Sequence, residues 1–368
     1  MSKSILKFAV AVVIGVSFVA GGVQGAVIDT IVGSGAGSDN GPTAKKPLEA
    51  NVNQPFGVVI GPDGALYICE RGLHRIRRVD NKTGEVTTYA GIGKAGFSGD
   101  GGPATEANIA EPHELCFDKA GNLYWTDMTN HVIRRVDGKT KAISTYAGIG
   151  KQAGFGGDGG PADEALLRSP HSLAFDADEN LYIADIGNHR VRRVDAKTKQ
   201  ISTVVGNGEK VLPQEGAVAV KSPILGPRAI AVDGTTLWIA LREGHSIWRL
   251  DLTKGTLHHV SGTGKRGFAV VDGPAKDAQY DSPKGISVGP DKLIYIVDSS
   301  NHVIRRLDPE KLTVTVVAGV PKEAKFAGDG GSPTEAHLSN PHGVGFAPDG
   351  GMLIGDSDNH RVRRVRDR

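Results

Sequence analysis

The chain has 368 residues, among them 51 glycines and 19 prolines, with a hydrophobic share of 39 % and a formal charge of +2. Glycine is roughly twice as common as usual but shows no three-residue period, which excludes a collagen helix; the apolar share and low charge exclude a disordered chain. A chain of this length can bury a core without a disulfide framework or a structural metal, and it lacks the basic excess of a nucleic-acid binder.

Residues 1–25 read as an export leader. Lys3 and Lys7 precede the apolar run 8–20, and small residues follow ahead of Ala26. The run is short for a membrane span. Its removal takes away two bases and no acid, so the remaining charge balances. The expected product is an exported protein, secreted or periplasmic, with no membrane span in the mature chain.

From residue 26 to 368 the chain is a repeat. A proline opens each unit at Pro55, Pro112, Pro170, Pro227, Pro283 and Pro341, at intervals of 56 to 58 residues. Each unit carries four short β segments joined by turns; in the third they are 173–175, 181–185, 191–194 and 201–205. Four strands in each of six units predict an all-β six-bladed propeller. The sixth unit holds only three strands, while 27–33 matches 142–148. The segment 26–35 is therefore expected to complete the last blade and close the ring. Cys69 and Cys116 each fall within a predicted strand and read as buried thiols, although export would also permit a disulfide.

Asn-His pairs recur at Asn130-His131, Asn188-His189, Asn301-His302 and Asn359-His360. A Gly-Asp-Gly-Gly connector recurs at 99–102, 157–160 and 328–331. On these features the chain resembles the NHL-repeat family in its exported bacterial form, which implies a propeller and leaves function open. Features common to the blades are read as scaffold: the six histidines at 74, 131, 189, 245, 302 and 360 as caps of the turn after strand two, the strand-two Asp as an acceptor of turn N–H groups, and the Arg pairs as partners of acids. The connectors read as glycine-enabled turns rather than calcium loops, since they lack alternating acids.

Residues that break the repeat are the better site candidates. The residue after each proline varies: Phe56, His113, His171, Arg228, Lys284 and His342. This position opens the innermost strand, so the six side chains should ring one mouth of the central channel. Glu114 follows His113. At the end of strand two, Glu70-Arg71 and Leu241-Arg242 replace the usual Asp and its neighbour. Phe56, Arg228 and Lys284 are expected to bind ligand, with Arg71, Arg242, Glu70 and Glu114 as candidate catalytic groups.

His113, His171 and His342 could hold a metal, zinc or calcium, through neutral imidazoles. Their Pro-His openings also resemble the zinc-binding motif of peptidyl-α-hydroxyglycine amidating lyases, which are six-bladed propellers. In that family the histidines sit on alternate blades; here they fall on blades two, three and six. Its catalytic tyrosine is replaced by Gly72, Thr129, Gly187, Glu243, Ser300 and Asp358 in the equivalent positions. The expected function is thus a binding module for a peptide, protein, glycan or small anionic ligand. A metal-dependent lyase or lactonase-type hydrolase is the alternative.

Overall fold

A computed structural model describes residues 25–367. The expected leader lies outside the described residues, apart from Gly25. Six antiparallel sheets of at least four strands each are arranged radially as blades. The innermost strands are Pro55–Ile60, Pro112–Phe117, Ser172–Phe175, Pro227–Asp233, Pro283–Val288 and Val344–Phe346. The strand Ala26–Val32 pairs antiparallel with Arg361–Asp367, Ala26 opposite Asp367, and is the outermost strand of blade six. Two short extra strands, Thr43–Ala44 and Asp272–Pro274, cover the outer edges of blades one and five. Edge cover of this kind removes unpaired backbone groups.

The apolar core is divided among the six gaps between blades. One cluster joins Tyr67, Cys69 and Ile76 of blade one to Leu115, Trp125 and Val136 of blade two. Equivalent clusters fill the other five gaps. Strand-two aromatics bridge the gaps: Tyr67 meets Phe117, Tyr124 meets Phe175 and Tyr295 meets Phe346, with ring centroids 4.8–5.0 Å apart. Cys69 and Cys116 are free thiols; Cys69 is buried and Cys116 only partly so.

The recurring polar residues form one network per blade. In blade three, Asp185 and Arg192 are both fully buried, 3.5 Å apart. Asp185 also accepts the Arg168 N–H at 2.7 Å and the Asn188 amide at 2.7 Å. Blades two, five and six repeat the set around Asp127, Asp298 and Asp356, and Glu70 serves in blade one. The connector acids Asp100, Asp158 and Asp329 reach the same buried arginines at 2.6–2.7 Å. They are arginine partners, which gives the connector a role beyond its glycine turn. Blade four has Leu241 and Trp248 at the acid and arginine positions, packed in one apolar cluster.

The rings of the six repeated histidines act between blades, while the backbone N–H groups of His74, His131, His189, His302 and His360 close their own turns. Each Nδ1 accepts a backbone N–H from the next blade. His74 takes Glu111, His131 takes Ser169, His189 takes Gly226, His245 takes Ser282, His302 takes Asn340 and His360 takes Gln54, at 3.0–3.3 Å. An imidazole that accepts at Nδ1 is neutral, with its proton on Nε2. The clasped residues have left-handed backbones, with φ between 45° and 63°. Each stands two positions before a channel-mouth residue, so six equivalent clasps set the height of the mouth.

Where blade six meets blade one the backbones nearly touch. A Cβ on Gly343 would lie 2.1 Å from the Phe56 carbonyl oxygen. Backbone cannot yield as a side-chain tip does, so Gly343→Ala is expected to lower stability by about 3 kcal/mol. A urea unfolding midpoint checks this; an unchanged midpoint would show that the two blades can part freely.

Candidate functional site

The structure gathers the six variable residues at one end of the channel. Running round the ring, His342 stacks on Phe56 with centroids 3.7 Å apart, Phe56 meets His113 edge-on at 4.9 Å, and His113 meets His171 at 4.6 Å. These four rings form a continuous aromatic arc over blades six, one, two and three. Arg228 and Lys284 complete the circle from blades four and five. Beyond the ring the channel has a volume of about 540 Å³ and is lined by mainly apolar residue types and their backbone, with Glu114 as the single ionisable carboxylate in its lining.

The sequence expectation of a three-histidine metal site does not match this arrangement. Phe56 stands between His342 and His113, so the three imidazoles do not converge on one point. Among the described residues no group of three or more His, Cys, Asp or Glu side chains is placed to hold an ion. Each ring histidine is instead tied to its own loop. Nδ1 of His113 lies 2.8 Å from the Glu111 carbonyl, that of His171 2.6 Å from Ser169, and that of His342 2.9 Å from Asn340. A carbonyl only accepts, so the proton is on Nδ1 and Nε2 carries a lone pair. This is the opposite tautomer to that of the clasp histidines.

Burial and the facing cations keep all three imidazoles neutral, with pKa values well below the ordinary histidine range. Arg228 is 3 % exposed and has no hydrogen bond or ion pair among the described residues. Burial pulls its guanidinium down to about 9, with Glu114 pulling the other way. Lys284 is lowered to about 8 by burial and by Arg228 and Arg242; its Nζ donates to the Asn340 side chain at 2.9 Å. Of the mouth cations, Arg228 and Lys284 have no carboxylate bound to them in the chain, whereas Arg71 and Arg242 are paired with Glu111 and Glu243.

Glu114 occupies the next layer inward. The equivalent positions are Gly57, Ser172, Ala229, Gly285 and Gly343, all small. A Cβ on Gly57 would come within 2.8 Å of Glu114 Oε1, so the carboxylate fills the space that glycine leaves. Burial raises it to about 7, against the pull of Arg228.

The remaining candidates divide between rim and scaffold. Arg71 sits 5.5 Å over the Phe56 ring and donates to Gln54 and Glu111, both at 2.7 Å. Arg242 pairs with Glu243. Glu70 is fully buried, 3.1 Å from Arg75 and 3.6 Å from Arg77. It takes the place of the usual Asp and does not reach the mouth, so its catalytic candidacy is withdrawn. Sequence reasoning missed Glu111, Asn340 and Glu243, which hold the rim cations. Glu111 and Asn340 precede the repeat prolines, a position as variable as the one after it, and that variability was the available sign.

The NHL repeat family matches residues 167–194. Protein SUPPRESSOR OF QUENCHING 1 of Arabidopsis thaliana is 27 % identical over 338 residues, which is 86 % of this chain and 32 % of that protein. NHL repeat-containing protein 2 of Bos taurus is 26 % identical over 331 residues, covering 81 % and 44 %. The chain thus spans less than half the length of these relatives. Among solved structures, an auxiliary nutrient binding protein from Bacteroides ovatus superimposes with a TM-score of 0.67 at 18 % identity, over 93 % of this chain and 76 % of that one. A virginiamycin B lyase from Staphylococcus aureus gives 0.52 at 14 %, over 88 % and 97 %. At these identities the structural likeness carries the fold alone. No helix among the described residues is long and apolar enough to cross a membrane. The family match in the third unit, the relatives named for the repeat and the six radial sheets agree: the chain is a six-bladed β-propeller that carries an NHL repeat and is similar to NHL repeat-containing proteins.

Proposed function

We propose that this propeller is an exported binding module that captures a small anionic ligand at the histidine- and arginine-lined channel mouth. The observation that carries the reading is Arg228. A guanidinium on a residue 3 % exposed, without a hydrogen-bonding partner in the chain and with Glu114 and Glu243 only partly offsetting burial and the neighbouring cations, raises the free energy of the folded chain. An anion seated against it relieves that cost. The basic and apolar residues of 1–25 support export.

Titration calorimetry of the chain from residue 26 onward with acetate, lactate, citrate and phosphate tests the site. Arg228→Met is expected to weaken binding by about tenfold or more, while the melting temperature holds or rises because an uncompensated buried charge is gone. Anion affinity that survives this substitution places the site elsewhere. A melting temperature that falls shows that Arg228 serves the fold instead.

A further inference from the structure

Resting on that reading, we infer that the ligand is a hydroxylated carboxylate, its carboxylate facing Arg228 and Lys284 and its hydroxyl groups donating to Nε2 of His171, His113 and His342. The ring is chemically divided. Blades four and five offer only donors, the guanidinium of Arg228 and the ammonium of Lys284. Blades two, three and six offer only acceptors, because every ring histidine has spent its one proton on the carbonyl two residues before it.

The three Nε2 atoms have no hydrogen-bond partner in the chain, and none is among the buried unpartnered atoms, so each retains access to solvent in the channel. They cannot become donors by protonation near neutral pH, since burial and the cations hold them neutral. A plain carboxylate satisfies the donor side and leaves three lone pairs facing its apolar remainder. Displacing water from them without replacing its hydrogen bonds loses affinity.

Three groups could in principle donate to those lone pairs. An ammonium is repelled by Arg228 and Lys284, the mouth cations not ion-paired within the chain. An amide N–H brings a carbonyl with it, and that acceptor finds no donor on the histidine side. A hydroxyl rotates to present its proton wherever the lone pair lies. The order of the ring also fits: His171 flanks Arg228, and His342 flanks Lys284, so hydroxyls on either side of a bound carboxylate meet an imidazole.

The test uses the unmutated chain with matched pairs: propionate against lactate, and hexanoate against gluconate. The hydroxylated member of each pair is expected to bind about tenfold tighter or more, as one well-made hydrogen bond allows. In His171→Phe the ratio of the two affinities within each pair should shrink. Equal affinities within both pairs, each still lost in Arg228→Met, would overturn this inference and leave the anion site standing. Tighter binding of N-acetylglycine than of lactate would overturn it in favour of an amide donor. Absence of binding by all four acids would remove the anion site itself and the inference with it.

Discussion

Replacing Arg192 by alanine is expected to lower the unfolding free energy by about 3–5 kcal/mol, because it strands a buried carboxylate. Asp185 and Arg192 have no exposed side-chain surface, and Asp185 is pushed up to about 6 by burial even with its arginine present. Without that arginine, the Arg168 N–H and the Asn188 amide remain as its partners. The charge cannot escape to water, so the blade must either protonate Asp185 or open. Chemical denaturation at pH 7.5 measures the loss.

Blade four shows the way to recover it. There Leu241 and Trp248 occupy the two positions, and the Trp248 indole N–H donates to Ser246 at 3.1 Å. The triple change Asp185→Leu, Arg190→Ser and Arg192→Trp transplants that solution into blade three. It is expected to restore most of the lost stability, since an apolar pair of similar volume commonly matches a buried ion pair. If Arg192→Ala costs less than about 1 kcal/mol, the buried acids are not held by their arginines.

Acid should destabilise the fold between pH 7 and 5.5. Burial lowers the pKa of all six clasp histidines, and of the three ring histidines more strongly. The unfolded chain therefore takes up protons below about 6.5 that the folded chain refuses, and stability falls with pH. The buried carboxylates oppose this. Asp127 and Glu114 are raised to about 7, Asp185, Asp298 and Asp356 to about 6, and Glu70 is also raised, so the folded chain takes up protons there before the unfolded one. With His259 lowered as well, ten histidines against six carboxylates leave the histidine sign in control.

A net difference of even two protons steepens the loss to roughly 2.7 kcal/mol per pH unit. A proton on the clasp nitrogen also ends its acceptor role, so the blades lose the bonds that set the mouth. Urea midpoints across this range measure the slope. Combined His131→Gln, His189→Gln and His302→Gln replacement keeps an acceptor without a titrating group and should flatten it. A midpoint that does not move from pH 7 to 5.5 refutes the account.

Much of the architecture was legible in the primary structure because a repeat tests itself. The proline spacing, the strand patterning and the match between 27–33 and 142–148 pointed to six blades with a shared sheet at the closure, and the strand pairing of Ala26 with Asp367 agrees. The ring of variable residues after each proline was likewise readable, since the first strand of every propeller blade lines the axis. Internal comparison worked less well where a deviation was itself structural. Glu70 looked like a site residue because it departs from Asp, yet it holds Arg75, Arg77 and the Asn53 N–H as the blade-one acid. Leu241 departs because Trp248 departs with it, and the compensation lies seven residues away on the neighbouring strand.

The sequence by itself determined the blade number, the strand content and which six side chains meet at the axis, because these follow from periodicity and from the direction of alternate strands. Only the tertiary structure decided what those side chains can do. Phe56 separates histidines that share a motif, and which nitrogen of an imidazole is free depends on carbonyls whose position is set by the left-handed turns at Glu111, Ser169 and Asn340. The isolation of Arg228 is likewise a property of distances to every neighbouring blade. Periodicity carries order along the chain; hydrogen-bond roles and uncompensated charge arise from angles and separations among residues far apart in that order.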